Sequence, residues 1–203
     1  LYNVLDADDI RRKASQPVPD DFAERPNKLV TLGRLLSQKG IDIAVKAAAL
    51  LRQRGLDFTW LVLGEGDQRA ELETMIHAYG LEHHFILKGR VANPYPYVAA
   101  TDIYVQPSRY EGYSLALQEA RILAKPIVAT DIPSSREQIT DGHDGILVRP
   151  DETALAEGII RLLNDKSLCA TLSSNLQGGR FDYEDQVRRL FTLIDDAKGS
   201  TRP

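Results

Sequence analysis

The chain is predicted to be an α/β protein built on a doubly wound, Rossmann-like parallel sheet, and three observations point there. Short runs of residues are apolar throughout, as strands buried on both faces are. Between them lie stretches whose apolar residues recur at helical spacing. The two kinds alternate along the chain, and several strands end in a glycine. Lys28 to Leu32 is the first strand, ended by Gly33, and a helix follows from about Ile41 to Arg54. Gly55 stops that helix before the strand Phe58 to Leu63, which Gly64 ends. Arg69 to Tyr79 is a helix stopped by Gly80, and Phe85 to Lys88 a strand ended by Gly89. Tyr104 to Gln106 is a strand, Leu115 to Leu123 a helix, and Pro126 to Thr130 the next strand. A short helix near Ser134 to Thr140, a strand Ile146 to Arg149, and helices Ala154 to Leu163 and Leu168 to Gln177 complete the alternation. After Gly178-Gly179, Tyr183 to Asp195 reads as a last helix. Strands joined in this way by helices form a sheet covered on both sides.

A chain of 203 residues holds one large domain or one and a half small ones, and 43% hydrophobic residues suffice for a core. The net charge of −4 speaks against a nucleic-acid partner, which leaves a basic footprint. A single cysteine, Cys169, excludes a disulfide framework and suits a reducing, cytoplasmic compartment. No apolar run approaches the roughly 18 residues of a membrane span, and no secretory signal opens the chain. The start, Leu1-Tyr2-Asn3-Val4-Leu5, is apolar and reads as cut from a longer protein. The expected division is a truncated interdomain segment over 1–25, a ligand-binding domain over 26–180, and a helix and tail over 181–203.

The densest chemistry lies in Arg109-Tyr110-Glu111-Gly112-Tyr113-Ser114-Leu115-Ala116-Leu117-Gln118-Glu119-Ala120. Glu111 is expected in a loop at the carboxyl end of a strand, where open α/β sheets bind ligands. Glu119 is expected about two turns into the next helix, roughly 12 Å further on. Carboxylates so far apart cannot share a proton, but they can grip two hydroxyl-bearing ends of one elongated ligand. The amides of the helix start lie between them and suit a negative group. A sugar–diphosphate–ribose ligand has that order of groups. The turn Gly33-Arg34-Leu35-Leu36-Ser37-Gln38-Lys39-Gly40 adds two cations. Arg34 offers planar paired donors to phosphate and Lys39 a compact charge, and both can point into one cleft. As ordinary solvated surface charges they would read the same way.

Other features favour plainer readings. Gly64-Glu65-Gly66-Asp67-Gln68-Arg69 is a poor dinucleotide fingerprint, with Arg69 where the third glycine belongs. Asp6-Ala7-Asp8 has an acidic pattern that can bind metal–nucleotide complexes, but Asp8 or Asp9 is also a good helix cap. His77, His83, His84 and His143 show no metal-ligand spacing, and Trp60 belongs to the core. Tyr95-Pro96-Tyr97 either packs over a base or starts a short helix with buried tyrosines. No Ser-His-Asp or Cys-His arrangement can be assembled.

In order, the chain carries Gly33-Arg34-Leu35 with Lys39-Gly40, Leu63-Gly64-Glu65-Gly66, Gly89-Arg90-Val91, Pro107-Ser108-Arg109-Tyr110-Glu111-Gly112-Tyr113 with Glu119-Ala120, Pro126 to Thr130, and Asp141 to Val148. This ordered set, with its E-x7-E signature, resembles the C-terminal donor-binding domain of retaining glycosyltransferases of family 4, which have the GT-B fold. The resemblance covers roughly Asn3 to Leu163. Around Asn93 to Tyr97 it extends to members that build bacterial capsular, O-antigen or exopolysaccharide chains.

The resemblance implies a role for each matching position. Arg34 and Lys39, beside Gly33, would hold the donor diphosphate, and Glu119 the ribose hydroxyls. Glu111 would lie beside the donor sugar, orienting it and countering positive charge rather than attacking it. Backbone of Gly112, Tyr113, Ser114 and Leu115 would cap the sugar and distal phosphate, and backbone at Arg90 and Val91 would meet the base. Ser114 stands where many members have glycine, which would narrow the sugar pocket or add a hydroxyl contact. Lys125 stands where glycine is common before the proline, at a helix end. The family's donor is a nucleotide-diphosphate sugar, with no other cofactor and no metal expected, because fixed cations stabilise the departing diphosphate. The acceptor, a glycan or lipid-linked glycan, would meet a missing N-terminal domain, so this piece would bind donor without turning it over. The full-length protein would be cytoplasmic, with peripheral contact at the inner membrane face left open. Two other readings stand beside this one: another GT-B enzyme, such as a nucleotide-sugar epimerase or a phosphorylase, and a non-catalytic nucleotide-sugar-binding or docking module. No lysine setting suits a phosphorylase's pyridoxal phosphate. A docking module would have no need of all four residues Arg34, Lys39, Glu111 and Glu119.

Overall fold

The computed structural model describes residues 5–177. Six strands form one parallel sheet: β1 (Lys28–Leu32), β2 (Thr59–Leu63), β3 (Phe85–Gly89), β4 (Ile103–Gln106), β5 (Ile127–Thr130) and β6 (Ile146–Val148). Their order across the sheet is β3-β2-β1-β4-β5-β6, with all neighbours parallel. The alternation of side chains along each strand divides the core in two. Leu29, Trp60, Val62, Ile103, Val105 and Val128 point to one face, beneath the helices α2 (Ile41–Gln53), α3 (Arg69–Ala78) and α7 (Glu152–Asn164). Val30, Leu32, Leu61, Leu63, Tyr104, Ile127 and Ala129 point to the other, beneath α4 (Tyr95–Ala100) and α5 (Leu115–Ile122). Burial on both faces is why these strands are apolar throughout. Trp60 is fully buried, and its indole N–H donates to Thr31 Oγ1 at 3.0 Å.

Two elements differ from the expectation, and the structure decides between two readings at another. Residues 7–14 form a helix, α1 (Ala7–Ala14), packed on α4 and α5. Its cap is Asp6, whose carboxylate accepts from Asp9 N, rather than Asp8 or Asp9. Tyr95-Pro96-Tyr97 starts α4, with Tyr97 buried, so the short-helix reading holds there. The helix α6 (Pro133–Arg136) is much shorter than the predicted Ser134 to Thr140. The Asp144 carboxylate takes the Thr140 amide at 2.7 Å, and Gly142 turns left-handed at φ 73°, so a turn replaces the remaining helix. The last described helix is α8 (Lys166–Gln177), and the predicted helix Tyr183 to Asp195 lies outside the described residues. No described helix is long and apolar enough to cross a membrane.

Candidate functional site

Strand order reverses between β1 and β4, the point at which open α/β sheets form a ligand crevice outside the carboxyl ends of the strands. The loops leaving those two strands are Gly33 to Gly40 and Pro107 to Ser114, and missing side chains let them touch. Gly40 has φ 64°, and a Cβ there would sit 2.0 Å from the carbonyl oxygen of Pro107. Position 40 therefore requires glycine both for its left-handed backbone and for the approach of the second loop. A Cβ on Gly64 would lie 2.0 Å from Gly33 O, and one on Gly66 2.4 Å from Leu35 O. These two glycines serve loop-on-loop packing, which explains the imperfect dinucleotide pattern there. Arg69, in the position of its third glycine, is held by Glu65 and Glu73 at 2.8 Å each.

Lys39 and Glu111 meet across the crevice. The Lys39 stem runs over Gly33, with Cδ 3.4 Å from where a Cβ would be, and its ammonium donates to Glu111 Oε1 at 2.6 Å. The side chains are 16% and 7% exposed, so Lys39 is not a solvated surface charge. Glu111 Oε1 also accepts from Ser108 Oγ at 2.8 Å and Gln106 Nε2 at 3.2 Å. Gln106 is fixed in turn by the Tyr104 phenol, which donates to its Oε1 at 2.8 Å within the core. With three donors on Oε1, the carboxylate leaves Oε2 facing, among the described residues, only a long 3.4 Å contact from Gln38 Nε2. That oxygen can accept a ligand hydroxyl. Lys39 has three N–H donors, and a diphosphate can take those not used by Glu111.

Arg34 differs from Lys39: it is exposed, and its guanidinium has no partner among the described residues. The two cations expected to act alike are thus unequal, one free and one neutralised. At the start of α5, Ser114 is buried and its Oγ accepts from Leu117 N at 3.2 Å. That oxygen caps the helix, and its O–H donor is not used by the cap. The amides of Gly112, Ser114 and Leu115 donate to nothing among the described residues, leaving the positive end of the helix open. Gly112 itself is exposed, with open space where a Cβ would be, whereas Tyr113 is engaged elsewhere.

Glu119 is the fifth residue of α5, just over one turn in rather than two. Its Oε1 accepts from the Tyr95 phenol at 3.0 Å. Burial pushes the Glu119 carboxyl above its ordinary value, partly opposed by that hydrogen bond. Burial likewise raises the Tyr95 phenol. Arg90 is exposed and Val91 packs at the edge of the core beyond β3. Sequence reasoning missed Gln106, Ser108 and Gln38 as supports of Glu111. It also missed the clamp formed by Arg109, which donates twice to Asp42 at 2.6 Å and once to Ser37 O at 2.9 Å. A polar residue ending a buried strand, as Gln106 does, is the one signal that could have found the first. At the far end of α5, the left-handed residue is Ala124, at φ 51°, so the position that favours glycine is Ala124 rather than Lys125. Lys125 instead donates to Ala99 O at 2.8 Å, and burial lowers its ammonium's proton affinity. No group of three His, Cys, Asp or Glu suited to a metal occurs among the described residues.

Comparison with known proteins identifies the family. Residues 13–178 match the family described as glycosyl transferases group 1. The chain is 32% identical to an alpha-D-kanosaminyltransferase of Streptomyces kanamyceticus, over 84% of this chain and 45% of that protein. It is 32% identical to an N-acetylgalactosamine-N,N'-diacetylbacillosaminyl-diphospho-undecaprenol 4-alpha-N-acetylgalactosaminyltransferase of Campylobacter jejuni, over 83% of this chain and 45% of that one. Among solved structures, Anabaena HepE in complex with UDP-glucose superposes with a TM-score of 0.82 at 25% identity, over 96% of this chain and 56% of that one. TarM of S. aureus, in a complex with UDP, superposes at 0.78 and 25% identity, over 88% and 37%. The chain therefore spans about half the length, or less, of these relatives. Matched along most of its length, it belongs to the glycosyl transferases group 1 family.

Proposed function

We propose that this chain is the donor-binding half of a retaining, family-4 glycosyltransferase, and that it takes a nucleotide-diphosphate sugar in the β1–β4 crevice. One observation carries the reading: the Lys39–Glu111 ion pair spans the switch point, and among the described residues Glu111 Oε2 has only a long contact while the Arg34 guanidinium and the amides of Gly112, Ser114 and Leu115 have no partner. Arg34, the remaining Lys39 donors and the amides of Gly112, Ser114 and Leu115 stabilise the charge that grows on the diphosphate as the sugar leaves. No metal is needed where fixed cations and dipoles do this. Glu111 Oε2 accepts a donor-sugar hydroxyl, and its carboxylate counters positive charge on the sugar. Glu119 takes the ribose, and backbone at Arg90 and Val91 meets the base. A glycan or lipid-linked acceptor attacks from the leaving-group face, presented by the other half of a GT-B enzyme, so the 203-residue chain alone binds donor without turnover. One relative is named for an undecaprenol-linked acceptor and another for capsular polysaccharide biosynthesis, which supports a role in bacterial surface polysaccharide synthesis, carried out in the cytoplasm.

The test is thermal unfolding of the chain with UDP, GDP and ADP, in EDTA and then with Mg²⁺. UDP is expected to act first, since one structural neighbour above holds UDP and the other UDP-glucose. A ligand at 100 times its Kd adds about 2.7 kcal/mol of stability. A raised midpoint with one nucleoside diphosphate in EDTA supports the reading; stabilisation that appears only with Mg²⁺ contradicts the metal-free site.

A further inference from the structure

The E-x7-E signature accounts for Glu119 but not for the phenol resting on it. Asn93 Oδ1 accepts from Tyr95 N at 3.2 Å, while its Nδ2 donates to Lys13 O at 3.0 Å and Gln16 Oε1 at 2.9 Å. The start of α4 is thereby tied to the end of α1. The Tyr95 ring packs in a small apolar cluster with Ala7 and Ile10 of α1 and Ile122 of α5. So placed, its hydroxyl has one partner among the described residues, Glu119 Oε1 at 3.0 Å. We propose that Tyr95 is a positioning residue for nucleotide binding: its phenol holds the Glu119 carboxylate in the orientation and charge state that the ribose hydroxyls require. This rests on the reading of Glu119 as the ribose ligand. A phenol O–H can donate to an ionised carboxylate and favours that form, which burial disfavours. Oε2 and the second lone pair of Oε1 remain for a vicinal diol. Two further titratable groups among the described residues couple to this pair: the Tyr104 phenol, buried in β4 and raised by that burial and then by Glu119, and Asp9 of α1, which adds to the burial and the Glu119 charge that raise Tyr95.

Tyr95→Phe keeps the packed ring and deletes only the hydroxyl, so its fold is expected to survive. Two readouts separate the coupling from the ribose assignment. The first is ¹³C NMR titration of the Glu119 carboxyl without nucleotide, assigned with Glu119→Gln. Tyr95→Phe is expected to move its midpoint upward by about one pH unit, the effect of one lost hydrogen bond to a charged group. The second is UDP affinity against pH, where the acidic fall-off of Tyr95→Phe is expected to move upward with that midpoint, and the two proteins to converge at alkaline pH. An unmoved Glu119 midpoint overturns the proposal, as does an affinity loss that is equal at every pH. A midpoint that moves while UDP affinity stays unchanged overturns the ribose role of Glu119. Wild-type protein that binds no nucleoside diphosphate overturns the donor reading itself.

Discussion

At the residue scale, the site depends on which charges are already spent. Arg34 is exposed and unpaired among the described residues, so removing it disturbs nothing in the fold. Arg34→Ala is expected to weaken UDP binding about tenfold or more, the worth of one or two hydrogen bonds between charged groups. Its unfolding midpoint should stay at the wild-type value, a pairing that calorimetric titration and a thermal scan check together. Glu119 carries the opposite signature. Its folded-state pKa lies above the unfolded value, so the ionised carboxylate costs stability at neutral pH and that cost fades as pH falls through the folded pKa. Glu119→Gln is therefore expected to be no less stable than wild type at pH 7, while losing about tenfold in UDP affinity. Denaturant unfolding at pH 7 and at pH 5 checks the first half. The residue types at these positions were legible in the sequence. Their pairing was not, because Lys39 reaches Glu111 only where Gly33 lets its stem pass and where Gln106 and Ser108 present Oε1.

At the element scale, the helices and strands were legible because each is apolar with one period or the other. Loop chemistry was harder. Glycines at strand ends suggest close approach of a phosphate, yet Gly40 and Gly64 are required by neighbouring backbone at 2.0 Å. That neighbour comes from a loop distant in sequence, which local patterns do not contain. The same holds at the end of α5, where Ala124 occupies a left-handed conformation at φ 51°. Relief of that strain predicts that Ala124→Gly stabilises the chain by about 1 kcal/mol, despite the greater freedom of glycine in the unfolded state. Chemical denaturation of the two proteins measures it; a variant less stable than wild type contradicts the strain. The early stop of α6 has a similar cause, since the Asp144 carboxylate captures the Thr140 amide from across a turn.

At the scale of the whole molecule, strand alternation sufficed for a parallel sheet but not for its order, which depends on which crossovers pass over which face. The order reverses at β1 and β4, and there Arg109 binds Asp42 and the two crevice loops are joined. Arg109 holds the Asp42 carboxyl below its ordinary value, so this bond stabilises the fold above about pH 4 and is lost as pH falls through the depressed folded pKa. Arg109 is 37% exposed, so solvent limits the gain to about 1 kcal/mol. Asp42→Asn is expected to be less stable than wild type by that amount at pH 7, with the two urea midpoints converging toward pH 2. The donor reading makes a positional claim that amide chemical shifts test most directly, by titrating ¹⁵N-labelled chain with UDP. The largest shifts are expected on Gly33, Arg34, Gly112 to Leu115 and Glu119, at the carboxyl edge of β1 and β4. Shifts confined to other edges of the sheet, or none with any nucleoside diphosphate, would contradict that claim.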